Sequence, residues 1–211
     1  VYYGSTGGRT GCGAGKYNAS TGSSSSSACA NITAGCYGTS ASSACPAVCA
    51  ANKWSDAGAS SCSDCDSDYA NSGDTAASHA GVASCKVTCA AGTYVASSGA
   101  ACTDVGSGYY TTASQTISQG STGSRSACSS LNAFYTASDN GRNATTDCYG
   151  TTTSTKFVKT AKSGEETCTA GGYCPGSVKG YYNSTGGRTG CGAGKHNAST
   201  GSSSSSACAN I

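Results

Sequence analysis

A chain of 211 residues with only a tenth of them charged and a net charge of +2 offers no basic face for nucleic acid or anionic lipid. Leu, Ile, Val and Phe together number 14, far under the roughly 20% below which a chain usually cannot build an apolar core. Burial worth about 25 cal/mol per Å² over so few large aliphatic side chains cannot offset roughly 1–2 kcal/mol of backbone entropy per ordered residue. Covalent help is therefore required, and 16 cysteines are present to give it.

The opening stretch, Tyr2 to Ile32, returns at Tyr181 to Ile211 with two changes, Gly4 to Asn183 and Tyr17 to His196. Such a tandem repeat decides the architecture. It divides the chain into one unit, 1–179, and the start of the next copy, 180–211. The segment thus reads as a window on a longer array, and it holds no signal-peptide pattern and no run long enough to cross a bilayer. One unit contains 14 cysteines once the duplicated Cys191 and Cys208 are set aside, an even number that suits complete pairing. Each bridge contributes about 2–4 kcal/mol, chiefly by restricting the unfolded chain, and bridges at this density persist only in an oxidising compartment.

A shorter cadence runs inside the repeat: an aromatic residue, a small polar stretch, then a cysteine. Tyr3 leads to Cys12, Tyr17 to Cys29, Tyr37 to Cys45, Trp54 to Cys62, Tyr69 to Cys85 and Tyr94 to Cys102; Tyr110 leads to Cys128, Tyr135 to Cys148, Phe157 to Cys168 and Tyr182 to Cys191. The copies "AGKYNASTGSSSSSAC" (14–29) and "AGTYVASSGAAC" (91–102) place the aromatic on a short β-prone segment before a turn. Each copy predicts a small hairpin, and a lone hairpin is marginal in water, so neighbours must stack. The expected fold is small, disulfide-rich and mostly β, an elongated ladder of short hairpin modules with little helix. Its core would be Tyr3, Tyr17, Trp54, Tyr94, Tyr110 and Tyr135. The disulfide candidates are Cys12, Cys29, Cys36, Cys45, Cys49, Cys62, Cys65, Cys85, Cys89, Cys102, Cys128, Cys148, Cys168, Cys174, Cys191 and Cys208, with the pairing left open. The best helical stretch is "KFVKTAKSGEET" (156–167), whose Lys156, Lys159 and Lys162 read as a solvated face.

"GCGAGK" (11–16) has the glycines of a phosphate loop but neither the following Ser or Thr nor the flanking strand and helix, so its glycines read as room for a turn beside Cys12. N-x-[ST] sequons stand at Asn18, Asn31, Asn143, Asn183 and Asn197, glycan acceptors in a secreted chain. The tracts Ser23–Ser27 and Ser202–Ser206 offer hydroxyls to O-linked sugars. Cys62-x-x-Cys65 with Cys85-x-x-x-Cys89 could bind zinc in principle, yet the singly scattered remaining cysteines fit disulfides better. Asp64, Asp66, Asp68 and Asp74 alternate as calcium ligands can, but Tyr69 and Thr75 stand where an EF-hand needs Gly and Glu. His79 and His196 are the only histidines, and His196 is Tyr17 in the other copy. There is no G-x-S-x-G elbow. No enzyme, cofactor or metal is expected.

The "AGxY…SxG…SAC" cadence, with "GYY" (108–110, 180–182) and "CPG" (174–176), resembles the ephrin-receptor-like cysteine-rich repeats of protist surface proteins. It is similar also to ciliate immobilisation antigens and to mastigoneme proteins of flagellar hairs. The resemblance implies β-hairpin ladders, extracellular location, glycosylation and no catalysis. A structural protein is expected: a glycosylated extracellular filament, flagellar hair or surface coat whose partners are copies of itself and covalent glycans. The alternative is a receptor or adhesin ectodomain that binds a protein or glycan partner.

Overall fold

The chain is described from a computed structural model that covers residues 2–3, 8–39, 41–139, 141–153, 155–157, 164–174, 179–181, 189–193 and 195–210. It is a small, disulfide-rich, mostly β protein. Among the described residues the strands are two to four residues long and the helical turns are 3₁₀ turns of three or four residues. No helix there is long and apolar enough to cross a membrane. Two compact units form: one comprises Val1–Cys89, Val95–Cys102 and Thr116–Gly123, the other Ala90–Tyr94, Thr103–Gln115 and Ser124–Ile211.

The sixteen cysteines form eight bridges, and each pairs with its neighbour in the cysteine order: Cys12–Cys29, Cys36–Cys45, Cys49–Cys62, Cys65–Cys85, Cys89–Cys102, Cys128–Cys148, Cys168–Cys174 and Cys191–Cys208. The closed loops span 6 to 20 residues and none crosses another. Every staple is therefore local. Cys62, Cys65, Cys85 and Cys89, the pairs weighed for zinc, are all spent in disulfides.

Each module is an antiparallel pair. Lys16–Tyr17 pairs with Ala30–Asn31, Cys36–Tyr37 with Ala47–Val48, Lys53–Trp54 with Ser63–Asp64, and Lys195–His196 with Ala209–Asn210. In the second unit Tyr109–Tyr110 pairs with Ser126–Ala127, and Cys148–Thr151 lies between Ala137–Ser138 and Lys179–Tyr181. A spacing underlies these pairs: a cysteine, three residues, a two-residue strand ending in the ring, a loop, then the partner cysteine beside the return strand. Cys12, Cys49 and Cys191 all begin it.

The 156–167 stretch is not a helix at either described end. Lys156–Phe157 and Glu166–Thr167 are the two arms of a hairpin, with Phe157 opposite Glu166. Gly164 has φ 82°, which breaks helical continuity, while Lys159 and Lys162, expected on a solvated face, lie outside the described residues.

Sulfur fills much of the interior. Nine of the fifteen buried hydrophobic residues among those described are cysteines. Rings lie on the bridges: Tyr135, fully buried, packs with Cys128 and Cys148, and Phe157 with Cys168 and Cys174. Of the rings expected inside, Tyr135 is buried and Tyr17, Trp54, Tyr94 and Tyr110 are half-buried, while the Tyr3 side chain lies outside the described residues. Tyr69 and Phe157 are buried instead, at 3% and 7% exposed.

In seven of the described pairs the residue before the first strand has a left-handed backbone. Gly15, Gly35, Gly92, Gly108 and Gly171 take φ of 74° to 85°, with Asn52 at 60° and Thr155 at 72°. At Gly92 glycine is needed twice over, because a Cβ there would also collide with the Gly141 carbonyl. Gly120 has φ 94° as well, but its nearest neighbour to such a Cβ is Val82 Cγ1 at 3.9 Å. Gly120→Ala is expected to cost about 1 kcal/mol from backbone strain alone, and Gly92→Ala several times more. Thermal melts of the two variants check this: equal melting temperatures would show that close approach at Gly92 does not matter.

Candidate functional site, the joint between modules

With every disulfide closed inside its own module, whatever joins neighbours must be non-covalent. The left-handed residue is the hub of that joint. Its N–H donates to a carbonyl of the following module: Gly15 to Gly38, Gly35 to Ser55, Asn52 to Asn71, Gly92 to Thr111, Thr155 to Cys174 and Gly171 to Asn197, at 2.6 to 3.2 Å. Its own carbonyl accepts from the residue that closes its module: Ile32, Cys49, Cys65, Val105, Cys168 and Cys191 respectively. The left-handed turn aims both groups, one inward and one onward, which a right-handed residue would not do.

The accepting residue follows the ring directly in each joint but that of Asn71, which follows Ala70, and in several joints a side chain adds a second tie. Ser55 Oγ donates to the Cys36 carbonyl at 2.9 Å, Asn71 Nδ2 to the Lys53 carbonyl at 2.9 Å, and Asn197 Nδ2 to the Gly172 carbonyl at 2.8 Å. Ser138 Oγ donates to the Tyr109 carbonyl at 2.8 Å and accepts from the Gly108 N–H at 3.1 Å. In each case the target is the preceding module's first strand residue or its immediate neighbour. Thr111 Oγ1 instead accepts from the Gly92 N–H at 2.7 Å. These side chains are buried, from 2% exposed at Ser55 and Ser138 to 9% at Asn71. A buried polar group costs free energy unless it is bonded, so each is useful only while its neighbour is in place.

His79 belongs to the same arrangement. It is fully buried, with Nδ1 2.9 Å from the Lys53 carbonyl and Nε2 2.8 Å from the Gly73 carbonyl. Its backbone carbonyl accepts the Ser55 N–H. The ring fills space and ties three segments together. His196 is exposed on its strand.

Charges decorate the outer edge of the modules. Lys16 Nζ donates to Asn31 Oδ1 at 2.9 Å and Lys53 pairs with Asp64, both directly across the hairpin. The Arg125 guanidinium lies 3.8 Å over the Tyr109 ring and 4.8 Å from that of Tyr94, linking two successive aromatic positions. Of the acidic run, Asp64 is held by Lys53, and the Asp66 N–H donates to Gln119 Oε1. Among the described residues no three of His, Cys, Asp and Glu converge as metal ligands. In the glycine-rich 11–16 stretch, Gly15 is a joint hub with its N–H already bonded to Gly38.

The sequons divide by burial. Asn18 and Asn197 are 5% exposed, whereas Asn31 and Asn143 are exposed. Asn183 lies outside the described residues. Sequence reasoning missed the joint because it is largely main chain. The readable signal was a glycine or asparagine two residues before Tyr17, Tyr37, Trp54, Tyr94, Tyr110 and Tyr173, with a small or polar residue just after five of those six rings.

No protein-family model matches the chain, and no curated protein matches it.

Removing Ser138 Oγ strands both a donor and an acceptor inside the protein, while removing Ser55 Oγ strands only an acceptor. Ser55→Ala is expected to cost about 1 kcal/mol and Ser138→Ala about 2–3 kcal/mol, read as the change in urea midpoint at constant slope. A Ser138→Ala loss no larger than that of Ser55→Ala would refute the two-way bond.

Two carboxyls give the fold an acid limit. The Gly106 N–H, 2.6 Å from Asp104, and more weakly the Arg142 guanidinium at 2.7 Å hold the Asp104 carboxyl below its ordinary value. Burial pushes the Glu165 carboxyl upward, but bonds from the Thr153 N–H and hydroxyl and from Lys156 outweigh it and the net shift is down. Groups depressed on folding add stability that is present above the unfolded pKa of about 4 and is lost as pH falls through the folded values. The melting temperature is expected to drop below pH about 4, and less steeply in an Asp104→Asn, Glu165→Gln double variant. An unchanged acid slope in that variant would assign the loss to other groups.

Proposed function

We propose that this chain is a structural segment of an extracellular fibre, flagellar hair or surface coat, built by adding disulfide-stapled modules one after another. The observation that supports it is the joint itself, which recurs with one donor and one acceptor pattern at Gly15, Gly35, Asn52, Gly92, Thr155 and Gly171. A contact that each unit both offers and receives is head-to-tail, and one whose rotation closes no ring can extend indefinitely. The sequence supplies the extension, because at Tyr181 it begins again with two changes in 31 residues.

Eight closed disulfides fit an oxidising compartment. Local closure suits a fibre, since each module is stapled as soon as its second cysteine is made and needs no distant partner. The partners in this reading are copies of the repeat and covalent sugars, and no reacting group is called for.

Electron microscopy of the protein released by its source cells, before and after treatment with a reducing agent, tests the proposal. Long filaments that fall apart on reduction are expected. Monodisperse particles that capture a soluble ligand would overturn it in favour of a receptor or adhesin.

A further inference from the structure

We propose that, among the four sequons within the described residues, N-linked glycans sit at Asn31 and Asn143, and that Asn18 and Asn197 are joint residues whose sequons stay bare. This rests on the secretory route in the reading above.

Glycan transfer forms a bond between Asn Nδ2 and the anomeric carbon of an oligosaccharide. The bond from that carbon to the pyrophosphate of a lipid-linked donor breaks, the lipid pyrophosphate leaves, and Nδ2 gives up one of its two hydrogens as a proton. The product keeps a single N–H and carries a bulky polar group that must reach solvent.

Asn197 cannot meet either condition in the folded state. Both of its Nδ2 hydrogens are committed, one to the Gly172 carbonyl at 2.8 Å and the other to Ser202 Oγ at 2.8 Å. Its Oδ1 accepts the Ser199 N–H at 2.9 Å, and its main-chain carbonyl accepts from Gly171. The residue is 5% exposed, so a sugar there would have to occupy the joint with 170–173. Asn18 has the same setting in the first copy: Nδ2 to Ser23 Oγ at 3.0 Å, Oδ1 from the Ser20 N–H at 2.9 Å, and 5% exposure. The sequence "NAS" at these positions is thus required by packing, with Asn as the rung and Ser as the end of the turn that orients it. A molecule glycosylated there before folding could not close the module.

Asn31 and Asn143 differ in exposure and in the engagement of Nδ2 among the described residues. Asn31 lies on the exposed return strand, where Oδ1 accepts from Lys16 Nζ and Nδ2 has no acceptor among the described residues. Asn143 is exposed in the turn after Arg142. Only its backbone N–H is engaged, donating to Asp147 Oδ2 at 2.9 Å. A glycan on either leaves the joint bonds untouched.

The test uses the whole chain secreted from a eukaryotic host. Enzymatic release of N-glycans in heavy-oxygen water converts each occupied Asn to labelled Asp, which peptide mass spectrometry locates. Label is expected at Asn31 and Asn143 and none at Asn18 and Asn197. Label at Asn18 or Asn197 in protein that resists proteolysis overturns the joint argument alone. Label at none of the four overturns this inference and the secretory reading together. As an independent arm, Asn31→Gln and Asn143→Gln should each remove one glycan mass at unchanged secreted yield. Asn197→Gln should remove none yet lower the yield several-fold; loss of a glycan mass in that variant contradicts the proposal.

Discussion

Everything in this fold follows from how close one backbone comes to the next. Where Gly15 meets Gly58, Gly35 meets Ala76 and Gly92 meets Gly141, no space remains for a Cβ. Main chains can approach so far only if the side chains at the crossing are absent or very small. In exchange, the N–H and C=O groups of adjoining modules bond directly, which places the polar backbone inside the structure without penalty. The abundance of Gly, Ala and Ser is thus a consequence of the joint and not a sign of a disordered chain.

Sulfur solves the complementary problem. Modules this thin cannot exclude water with aliphatic side chains, and the few rings present rest on cystines, as Tyr135 does on Cys128 and Cys148. A loop of 6 to 20 residues closed by a bridge loses much of its unfolded entropy, so the hydrogen bonds of a two-residue strand need supply less. The staple stabilises the module and the joint stabilises the stack. The bridges act within modules and the hydrogen-bonded joints between them, and the two meet at Cys49, Cys65, Cys168 and Cys191, whose N–H groups donate to the hub carbonyls.

The staples were readable from sequence and the joints were not. Aromatic-to-cysteine spacing disclosed the hairpins, and the low count of large aliphatics disclosed the need for disulfides. The rings proved a poorer guide, since Tyr69 and Phe157 are buried while Tyr17 and Trp54 sit at module edges. In 156–167, the best helical candidate, Lys156 meets Glu165 across a hairpin at 3.3 Å and not along one helix face. The joint was hidden because its accepting residue is Gly38, Ser55, Asn71, Thr111, Cys174 or Asn197 in turn. Those six share a main-chain carbonyl and little else.

The two changes between copies show what this division of labour permits. At the ring position Tyr17 is half-buried and its counterpart His196 exposed, while the next residue is asparagine both times, 5% exposed and hydrogen-bonded to the serine five residues later. An edge ring covers its neighbour and can be exchanged for another flat side chain. The asparagine holds specific atoms at fixed distances, and neither a shorter nor a charged replacement would reach them. The loops between paired cysteines carry the joint residues, as Gly15 lies between Cys12 and Cys29 and Asn197 and Ser202 between Cys191 and Cys208, so only their remaining positions are free to change in length and chemistry. Beyond Ser23 and Ser202, which bond Asn18 and Asn197, the serine tracts and the sequons at Asn31 and Asn143 are exposed, and no joint bond described above runs through their side chains.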